Sequence, residues 1–290
     1  MSGFRGARIA FSFDDAPRMY SPGGGGGSDG CMDAVRVALQ GAGVRSCVAF
    51  VIGSRAVGHE DALRRWLEAG YELGNHSWSH RYASAIDTAD FLADVARCDA
   101  FLRGFGGFAG APRRFLRFPA LDAGRDANAR ATLAKGVREL GYTIVPGSLD
   151  VFDHLFESRM DGPDQAAVSA RWLAVASASL EFEEARLRKA HKRSVPHLHY
   201  GHFGTLSERH LPWLLEHWLS AGAVPCDLGE ALQDPFHASY LGSSGMSGRV
   251  TCALLGRSLT QRAGNVLARF SERCGFFDQR RLGPLWPYLE

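Results

Sequence analysis

The sequence predicts an α/β fold in which parallel strands alternate with helices, and a barrel is favoured over a doubly wound sheet. The 290 residues have ordinary globular composition, with 46% hydrophobic and 22% charged residues. Short runs rich in Val, Ile and Phe alternate with longer segments of helical period. Unusual polar residues follow several of these runs at the same end. In a barrel those ends share one face, where the chemistry takes place, so this pattern favours the barrel.

Seven short runs are predicted to be strands, because each is apolar, β-branched or aromatic and ends near a turn residue. They are Arg8–Phe13, Ser46–Ile52, Tyr71–Gly74, Arg114–Phe118, Tyr142–Val145, Val195–Tyr200 and Ala223–Cys226.

The segments between these runs place apolar residues three and four apart, which predicts helices. The predicted helices are Cys31–Ala42, Glu60–Ala69, Thr88–Leu102, Asn128–Leu140, Asp164–Ala190 and Ser207–Ala221. Ser207 is expected to cap the last of them, because a serine side chain can accept a bond from a free backbone N–H at a helix start.

Two segments do not fit the alternation. Pro22–Gly30 is rich in glycine but lacks the Lys and Ser/Thr of a phosphate loop, so a mobile surface loop is expected. Residues 236–290 are expected to form a C-terminal extension after one domain at residues 1–235. The extension either packs across the barrel or forms a contact in a homo-oligomer, and the sequence does not choose between these alternatives.

Charge and cysteine content exclude several classes of protein. The formal charge of +2 and the absence of runs of like charge argue against nucleic-acid and membrane partners. The six cysteines are spread along the chain without a Cys-x-x-Cys motif, which predicts free thiols in a reducing compartment. No signal peptide or membrane-spanning run is seen, so a cytoplasmic location is expected unless a secreted chain was trimmed.

The polar residues at the strand ends indicate a metal site. They are Asp14, Asp15, His76, His80, Arg117, Asp150, Asp153 and His202. Two histidines four apart together with one carboxylate are a zinc ligand set that leaves a position open for water. A bound divalent ion makes water a stronger nucleophile and polarises a carbonyl, and a second carboxylate can accept the proton of that water.

Five motifs carry a resemblance to a known family. FSFDDAP, NHSWSH, LRFPALDAG, SLDVFDH and HLHYGHF occur in this order between about residues 8 and 232. The chain therefore resembles the polysaccharide deacetylase superfamily, which is the NodB homology domain or carbohydrate esterase family 4. The resemblance implies a distorted (β/α)7-type barrel that uses a divalent metal to hydrolyse N-acetyl groups of amino sugars. Zinc is the expected ion, with cobalt, nickel and manganese as alternatives.

The same resemblance implies a role for each matching residue. It implies that Asp14 is the catalytic base, that Arg117 orients the base, and that His202 is the general acid. It implies that Asp15, His76 and His80 bind the metal. Either Asp150 or Asp153 supports His202, and Asp150 is favoured.

Substrate contacts are expected at Pro119 and Ala120, in the motif that shapes the pocket in the family. Trp78 either stacks on a sugar ring or packs beside the metal loop. His197 and His199 are expected to be strand residues without a direct role.

Departures from the family pattern leave the substrate open. Ala16, Ala120-Leu121 and His154 stand where the family has glycine, an aromatic-glycine pair and tryptophan. The leading hypothesis is a metal-dependent deacetylase of an N-acetylated carbohydrate, and a small non-carbohydrate amide is the alternative substrate. A non-catalytic module that binds metal or glycan is a further alternative. A non-haem iron oxygenase has the same ligand set but normally a strand-rich fold, which this sequence does not have.

Overall fold

The centre of the molecule is a curled sheet in which every strand pair is parallel. The computed structural model describes residues 4–19, 28–111 and 113–237. Its strands are Arg8–Ala16 (β1), Cys47–Val51 (β2), Glu72–Asn75 (β3), Phe115–Leu116 (β4), Thr143–Ile144 (β5), Leu149–Asp150 (β6), His197–His202 (β7) and Val224–Pro225 (β8). The order across the sheet is β5-β4-β3-β2-β1-β7-β6, and β8 pairs with the start of β1.

This architecture confirms the distorted (β/α)7-type barrel. All seven predicted strands are present within a few residues of their expected bounds. The sequence did not predict β6, because two residues are too few to show an alternating pattern. Within the described residues β5 and β6 are the two ends of the strand order, so the barrel is open along a seam between them.

Helices follow most of the strands and cover the outside of the sheet. They are Ser28–Gly41 (α1), Gly53–Ala56 (α2), Glu60–Glu68 (α3), Thr88–Gly104 (α4), Ala127–Glu139 (α5), Gln165–His191 (α6), Thr205–Ser220 (α7) and Leu228–Ala231 (α8). The six predicted helices are present with shifts of a few residues.

The predicted cap at Ser207 is wrong. Helix α7 begins at Thr205, and Ser207 is buried within its first turn. The carboxylate of Glu157 accepts the backbone N–H of Thr205 at 2.6 Å and that of Leu206 at 3.3 Å. A side chain from a distant turn therefore replaces the local cap, because a negative charge is favoured at a helix N-terminus.

The core is built by β1 and β2 together with the helices that pack on them. All five residues of β2 are buried, as expected for a central strand of a parallel sheet. On β1 the side chains of Phe11 and Phe13 are buried, and the indole of Trp218 packs near Phe11. The strand that carries Asp14 and Asp15 is therefore anchored in the hydrophobic core.

Some predictions fall on residues outside the described ranges. Of the glycine-rich segment, residues 22–27 lie outside them, whereas Gly30 belongs to α1. Residues 238–290 of the C-terminal extension, with Cys252 and Cys274, also lie outside them. The other four cysteines are free thiols, as predicted: Cys31, Cys47, Cys98 and Cys226. Among the described helices none combines the length and the apolar character that a membrane span requires.

Candidate active site

The carboxyl ends of β4, β3, β1 and β7 bring most of the predicted polar residues together. Asp14 and Asp15 lie near the end of β1, and His202 ends β7 directly beside Asp14 in the strand register. The backbone N–H of His76 continues the β3 pairing by bonding to Val51 of β2 at 2.9 Å. That of Arg117 bonds to the carbonyl of Asn75 at 3.1 Å. Parallel pairing therefore places these side chains at one end of the barrel.

Three of these residues form the ligand cluster, defined as Asp15, His76 and His80. Asp15 Oδ1 lies 3.5 Å from His76 Nε2 and 3.1 Å from His80 Nε2. His76 Nδ1 bonds to the carbonyl of Arg117 at 2.8 Å, which directs Nε2 at Asp15. Asp15 Oδ1 has no hydrogen-bond partner among the described residues although it is buried. An unpartnered carboxylate oxygen facing two imidazoles fits a divalent cation of the zinc type.

The backbone of the ligand cluster is strained. Asp15, Ser77 and His80 have φ values of 65°, 65° and 58°, in the left-handed region that residues other than glycine rarely adopt. Asn75 Oδ1 accepts the N–H of Ser77 at 2.8 Å, and Asp94 Oδ2 accepts two further loop N–H groups at 3.0 and 2.9 Å. Such strain persists only where the surroundings hold it, and it is typical of functional sites.

The electrostatics of the ligand cluster suit a cation. Burial by itself raises the pKa of Asp15, but the interaction with His80 and the charges of His202 and His76 outweigh it and lower this pKa below its usual value. Burial lowers the pKa of His76 to about 4. At neutral pH Asp15 is therefore a carboxylate and His76 a neutral imidazole, which are the forms that bind metal.

Asp14 stands beside the ligand cluster and is held by Arg117. Arg117 is fully buried, and its Nη1 donates to Asp14 Oδ1 at 2.7 Å. Its guanidinium carbon also lies 4.3 Å from the ring centroid of Phe50. Asp14 Oδ2 faces His76 Nε2 at 3.9 Å. Arg117 therefore fixes one oxygen of Asp14 and leaves the other directed at the ligand cluster.

On the other side of Asp14, Asp153 and His202 form the acid pair. Asp153 Oδ1 lies 2.7 Å from His202 Nδ1, and Asp153 Oδ2 accepts the backbone N–H of His202 at 2.6 Å. Burial lowers the pKa of His202, but the charge and hydrogen bond of Asp153 outweigh it and raise this pKa to about 10. Burial raises the pKa of Asp153, but His202 and His154 outweigh it, so the net shift is downward. His202 is therefore an imidazolium at neutral pH.

The preference for Asp150 as the partner of His202 is corrected. Asp150 pairs with Tyr200 in the register of β6 and β7, and its carboxylate accepts bonds from the Tyr200 hydroxyl and the Phe152 N–H, each at 2.7 Å. His202 lies two residues further along β7, beyond the end of β6. Phe152 has a φ of 56°, and this left-handed turn brings Asp153 to His202. Burial raises the pKa of Asp150.

Trp78 packs beside the metal loop, and its contact with a sugar ring stays a prediction. The guanidinium carbon of Arg97 lies 4.1 Å from the centroid of the Trp78 ring, and Phe101 meets this ring edge-on at 5.9 Å. A Cβ atom on Gly53 would lie 2.5 Å from Trp78 Cε3. The ring therefore fills the space between the metal loop, α2 and α4. For Pro119 and Ala120, substrate contact stays a prediction, and Ala120 has a left-handed φ of 50°.

Sequence reasoning missed Arg55. Its Nη1 lies 3.5 Å from Asp15 Oδ2 and has no hydrogen-bond partner among the described residues. Two N–H groups of α2 bond to the metal loop, from Gly53 to Ser77 at 3.1 Å and from Ser54 to Trp78 at 2.9 Å. These bonds place Arg55 over Asp15. The signal was available, because Arg55 follows the end of β2 just as the other site residues follow their strands.

The protein is therefore an α/β barrel whose polar site lies at one end. The site contains Asp14 held by Arg117, the ligand cluster, and the imidazolium of His202. Residues 3–145 match the family model of the polysaccharide deacetylases. The chain belongs to this family, as its motifs predicted. No curated protein sequence gave a match.

Several solved structures of this family share the fold. A carbohydrate esterase family 4 pseudoenzyme from Bacillus anthracis aligns with a TM-score of 0.55 and 12% identity, over 80% of this chain and 67% of that one. The peptidoglycan deacetylase PdaC from Bacillus subtilis aligns with a TM-score of 0.54 and 15% identity, over 83% and 96%. A family 4 carbohydrate esterase from Streptomyces lividans, in complex with acetate, aligns with a TM-score of 0.51 and 19% identity, over 76% and 91%.

Proposed function

We propose that the protein is a metal-dependent hydrolase that removes N-acetyl groups from an amino sugar, oligosaccharide or polysaccharide. The observation that carries this proposal is the unpartnered Oδ1 of Asp15 between two imidazoles, next to a second carboxylate that Arg117 holds. Amide hydrolysis needs both a cation site and a separate base, and this arrangement provides them.

Asp15, His76 and His80 are proposed to hold the ion. Two imidazole nitrogens and one carboxylate suit zinc best, and they also accept cobalt, nickel or manganese. When bound, the ion supplies an acidified water and polarises the substrate carbonyl. The pairing of His76 Nδ1 with a backbone carbonyl fixes which ring nitrogen is available for the ion.

Asp14 is proposed to accept the proton of the attacking water at Oδ2. Arg117 occupies Oδ1, so the oxygen that faces the ligand cluster is the one available for proton transfer. The backbone N–H of Ala120 is proposed to stabilise the negative charge that develops on the carbonyl oxygen.

His202 is proposed to donate a proton from Nε2 to the leaving amine. Its Nδ1 is engaged by Asp153, so the proton on Nε2 is the one directed away from that carboxylate. An imidazolium whose pKa is raised to about 10 carries this proton throughout the neutral range. An amine must be protonated to leave, and His202 provides that proton.

Two further considerations bear on the substrate. One similar structure is a peptidoglycan deacetylase and another a carbohydrate esterase, which supports an N-acetylated carbohydrate. His154, Ala120 and Leu121 depart from the family pattern around the pocket, which keeps a small non-carbohydrate amide as the second candidate. The pseudoenzymes among the similar structures do not change the proposal, since this chain keeps a base, three ligands and an acid.

The test combines metal analysis with acetate release from N-acetylglucosamine oligomers, for wild type and Asp14→Asn. The expected result is an ion bound at the ligand cluster in both proteins, with acetate release lost by about a hundredfold or more in the variant. Metal binding without acetate release would redirect the search to small amides or a binding role. A chain that binds no divalent ion would refute the proposal.

A further inference from the structure

We propose that Asp153, His154 and His202 form a second divalent-cation site, distinct from the ligand cluster, which binds zinc-type ions when they are in excess. The ligand atoms of these three residues all lie within 4.8 Å of one another. The two sites have no residue in common, and they lie on opposite sides of Asp14.

The donor set is the same as in the ligand cluster, with one carboxylate and two imidazoles. Asp153 Oδ1 lies 2.7 Å from His202 Nδ1 and 3.9 Å from His154 Nδ1. The rings of His154 and His202 meet edge to face with their centroids 5.3 Å apart. One carboxylate oxygen therefore faces a nitrogen of each imidazole, so a small shift of these side chains gives a three-ligand site with positions left for water.

His154 makes this arrangement particular to the chain. Asp153 and His202 are nearly buried, whereas the side chain of His154 is 37% exposed. An ion can therefore enter from solvent on the His154 side. Asp153 Oδ1 also accepts the backbone N–H of His154 at 2.8 Å, which fixes the loop so that both imidazoles share one carboxylate.

The second site is expected to bind more weakly than the first. In the ligand cluster Asp15 Oδ1 lacks a hydrogen-bond partner, whereas both oxygens of Asp153 already accept hydrogen bonds. An ion at the second site must replace the bond between Asp153 and His202. The second site is therefore expected to fill at higher zinc concentrations than the first.

Binding at the second site is expected to inhibit the enzyme. This consequence rests on the proposed function, because it takes His202 as the general acid. An ion on Nδ1 of His202 removes the bond that orients the ring toward the leaving group. Excess zinc is therefore expected to inhibit by blocking proton donation from His202. The ion in the ligand cluster stays in place.

The test is equilibrium dialysis of the full metal-free chain against increasing zinc, with the bound ion measured directly. The variant is His154→Phe, which keeps an aromatic ring against His202 but removes the ligand. The matched control is His59→Phe, since His59 has a similar exposed fraction of 36% and also contacts an aspartate, Asp29, at 2.8 Å. His80→Ala removes a ligand of the first site.

Wild type and His59→Phe are expected to bind one tight and one weaker equivalent at these sites. His154→Phe is expected to lose the weaker equivalent, with affinity reduced by at least about tenfold, and to keep the tight one. His80→Ala is expected to lose the tight one. If His154→Phe binds as much zinc as His59→Phe at every concentration, the second site does not exist.

Inhibition gives a separate outcome. With the second equivalent present, excess zinc is expected to inhibit wild type and to spare His154→Phe. If His154→Phe loses the weaker equivalent but wild type shows no catalytic activity, the proposed function is refuted and the second site remains supported. Equal zinc inhibition of both proteins would overturn the inhibitory role.

Discussion

The ligand cluster and the acid pair lie on neighbouring parts of one sheet, yet they satisfy their buried charges in opposite ways. Asp15 keeps an oxygen without a hydrogen-bond partner in the described structure, facing two imidazoles. Asp153 accepts three hydrogen bonds, from two backbone N–H groups and one imidazole. The first arrangement leaves a carboxylate oxygen available to a cation, whereas in the second a proton on His202 supplies the positive charge.

This difference shows how one barrel end can hold two kinds of positive charge. A buried carboxylate is costly unless it is paired. In the ligand cluster burial holds the pKa of His76 at about 4, so that residue does not supply the charge as a proton. In the acid pair Asp153 raises the pKa of His202 to about 10, so the charge is a proton on the ring. Asp14 lies between the two regions.

The largest expected effect comes from breaking the ligand cluster. Asp15→Asn keeps the shape of the side chain but removes the negative charge that faces His76 and His80. We expect loss of metal binding and a fall in kcat/KM of about a thousandfold or more, because several kcal/mol of transition-state stabilisation depend on the ion. Metal analysis and hydrolysis assays check this. An Asp15→Asn protein with normal metal content would contradict the assignment.

The next effect comes from breaking the acid pair. Asp153→Asn removes the charge that raises the pKa of His202, so the imidazolium is lost at lower pH and the alkaline limb of the pH–rate profile moves down. At neutral pH we expect kcat to fall by about 10²- to 10⁴-fold, with the ion content of the ligand cluster unchanged. Imidazole titration by NMR and pH–rate profiles measure these changes.

Asp150→Asn is the matched control for that variant, since Asp150 bonds to Tyr200 and not to His202. It is expected to leave the alkaline limb in place. If Asp150→Asn shifted that limb as far as Asp153→Asn does, the assignment of Asp153 would fail.

A smaller effect is expected from crowding the ligand cluster alone. In Gly53→Ala the new Cβ would lie 2.5 Å from Trp78 Cε3, so the metal loop must shift. We expect a loss of about 1–3 kcal/mol in the free energy of unfolding and weaker metal binding, with the pKa of His202 unaffected. Gly104→Ala is the control, because its Cβ would meet nothing within 4 Å. Calorimetry with and without zinc separates the effect on stability from the effect on metal binding. Equal effects in Gly53→Ala and Gly104→Ala would exclude a specific clash.

The smallest effect is expected where the strands that carry Asp14 and His202 are tied together. Ser12 Oγ donates to the carbonyl of His199 at 2.5 Å, and His199 Nδ1 bonds to the carbonyl of Ser12 at 3.0 Å. Ser12→Ala removes the first of these buried bonds, so the free energy of unfolding should fall by about 1 kcal/mol. Denaturant unfolding measures it. Loss of metal binding in Ser12→Ala would show that the bond from Ser12 to His199 also positions the ligand cluster.

The sequence predicted the fold, and it named the polar residues that the structure brings together at one end of the barrel, because both depend on short-range patterns. The alternation of strands and helices predicted the barrel. Polar residues directly after the strands of such a barrel meet at one face, and this located His76, His80 and His202. It did not separate Asp150 from Asp153, because both follow the same short strand. Only the left-handed turn at Phe152 decides which of them reaches His202.

The packing of Trp78 and the position of Arg55 depend on contacts between elements far apart in the chain. Trp78 is covered by Arg97 of α4 and lies against Gly53 of α2. No local pattern encodes such a contact. The cap of α7 failed for the same reason, since Glu157 comes from a turn 48 residues away from Thr205.

The open seam between β5 and β6 makes the barrel adjustable at one position. Paired strands keep a spacing of about 4.8 Å through their hydrogen bonds. Within the described residues β5 and β6 are not paired with each other; the connection between them contacts β7 through Gly147 and Tyr200, and Arg117 donates to the carbonyl of Pro146 at 3.5 Å. A residue inserted between Val145 and Ser148 would therefore break no pairing between β5 and β6. The seam is the place at which the width of the barrel could change with the least loss of strand pairing.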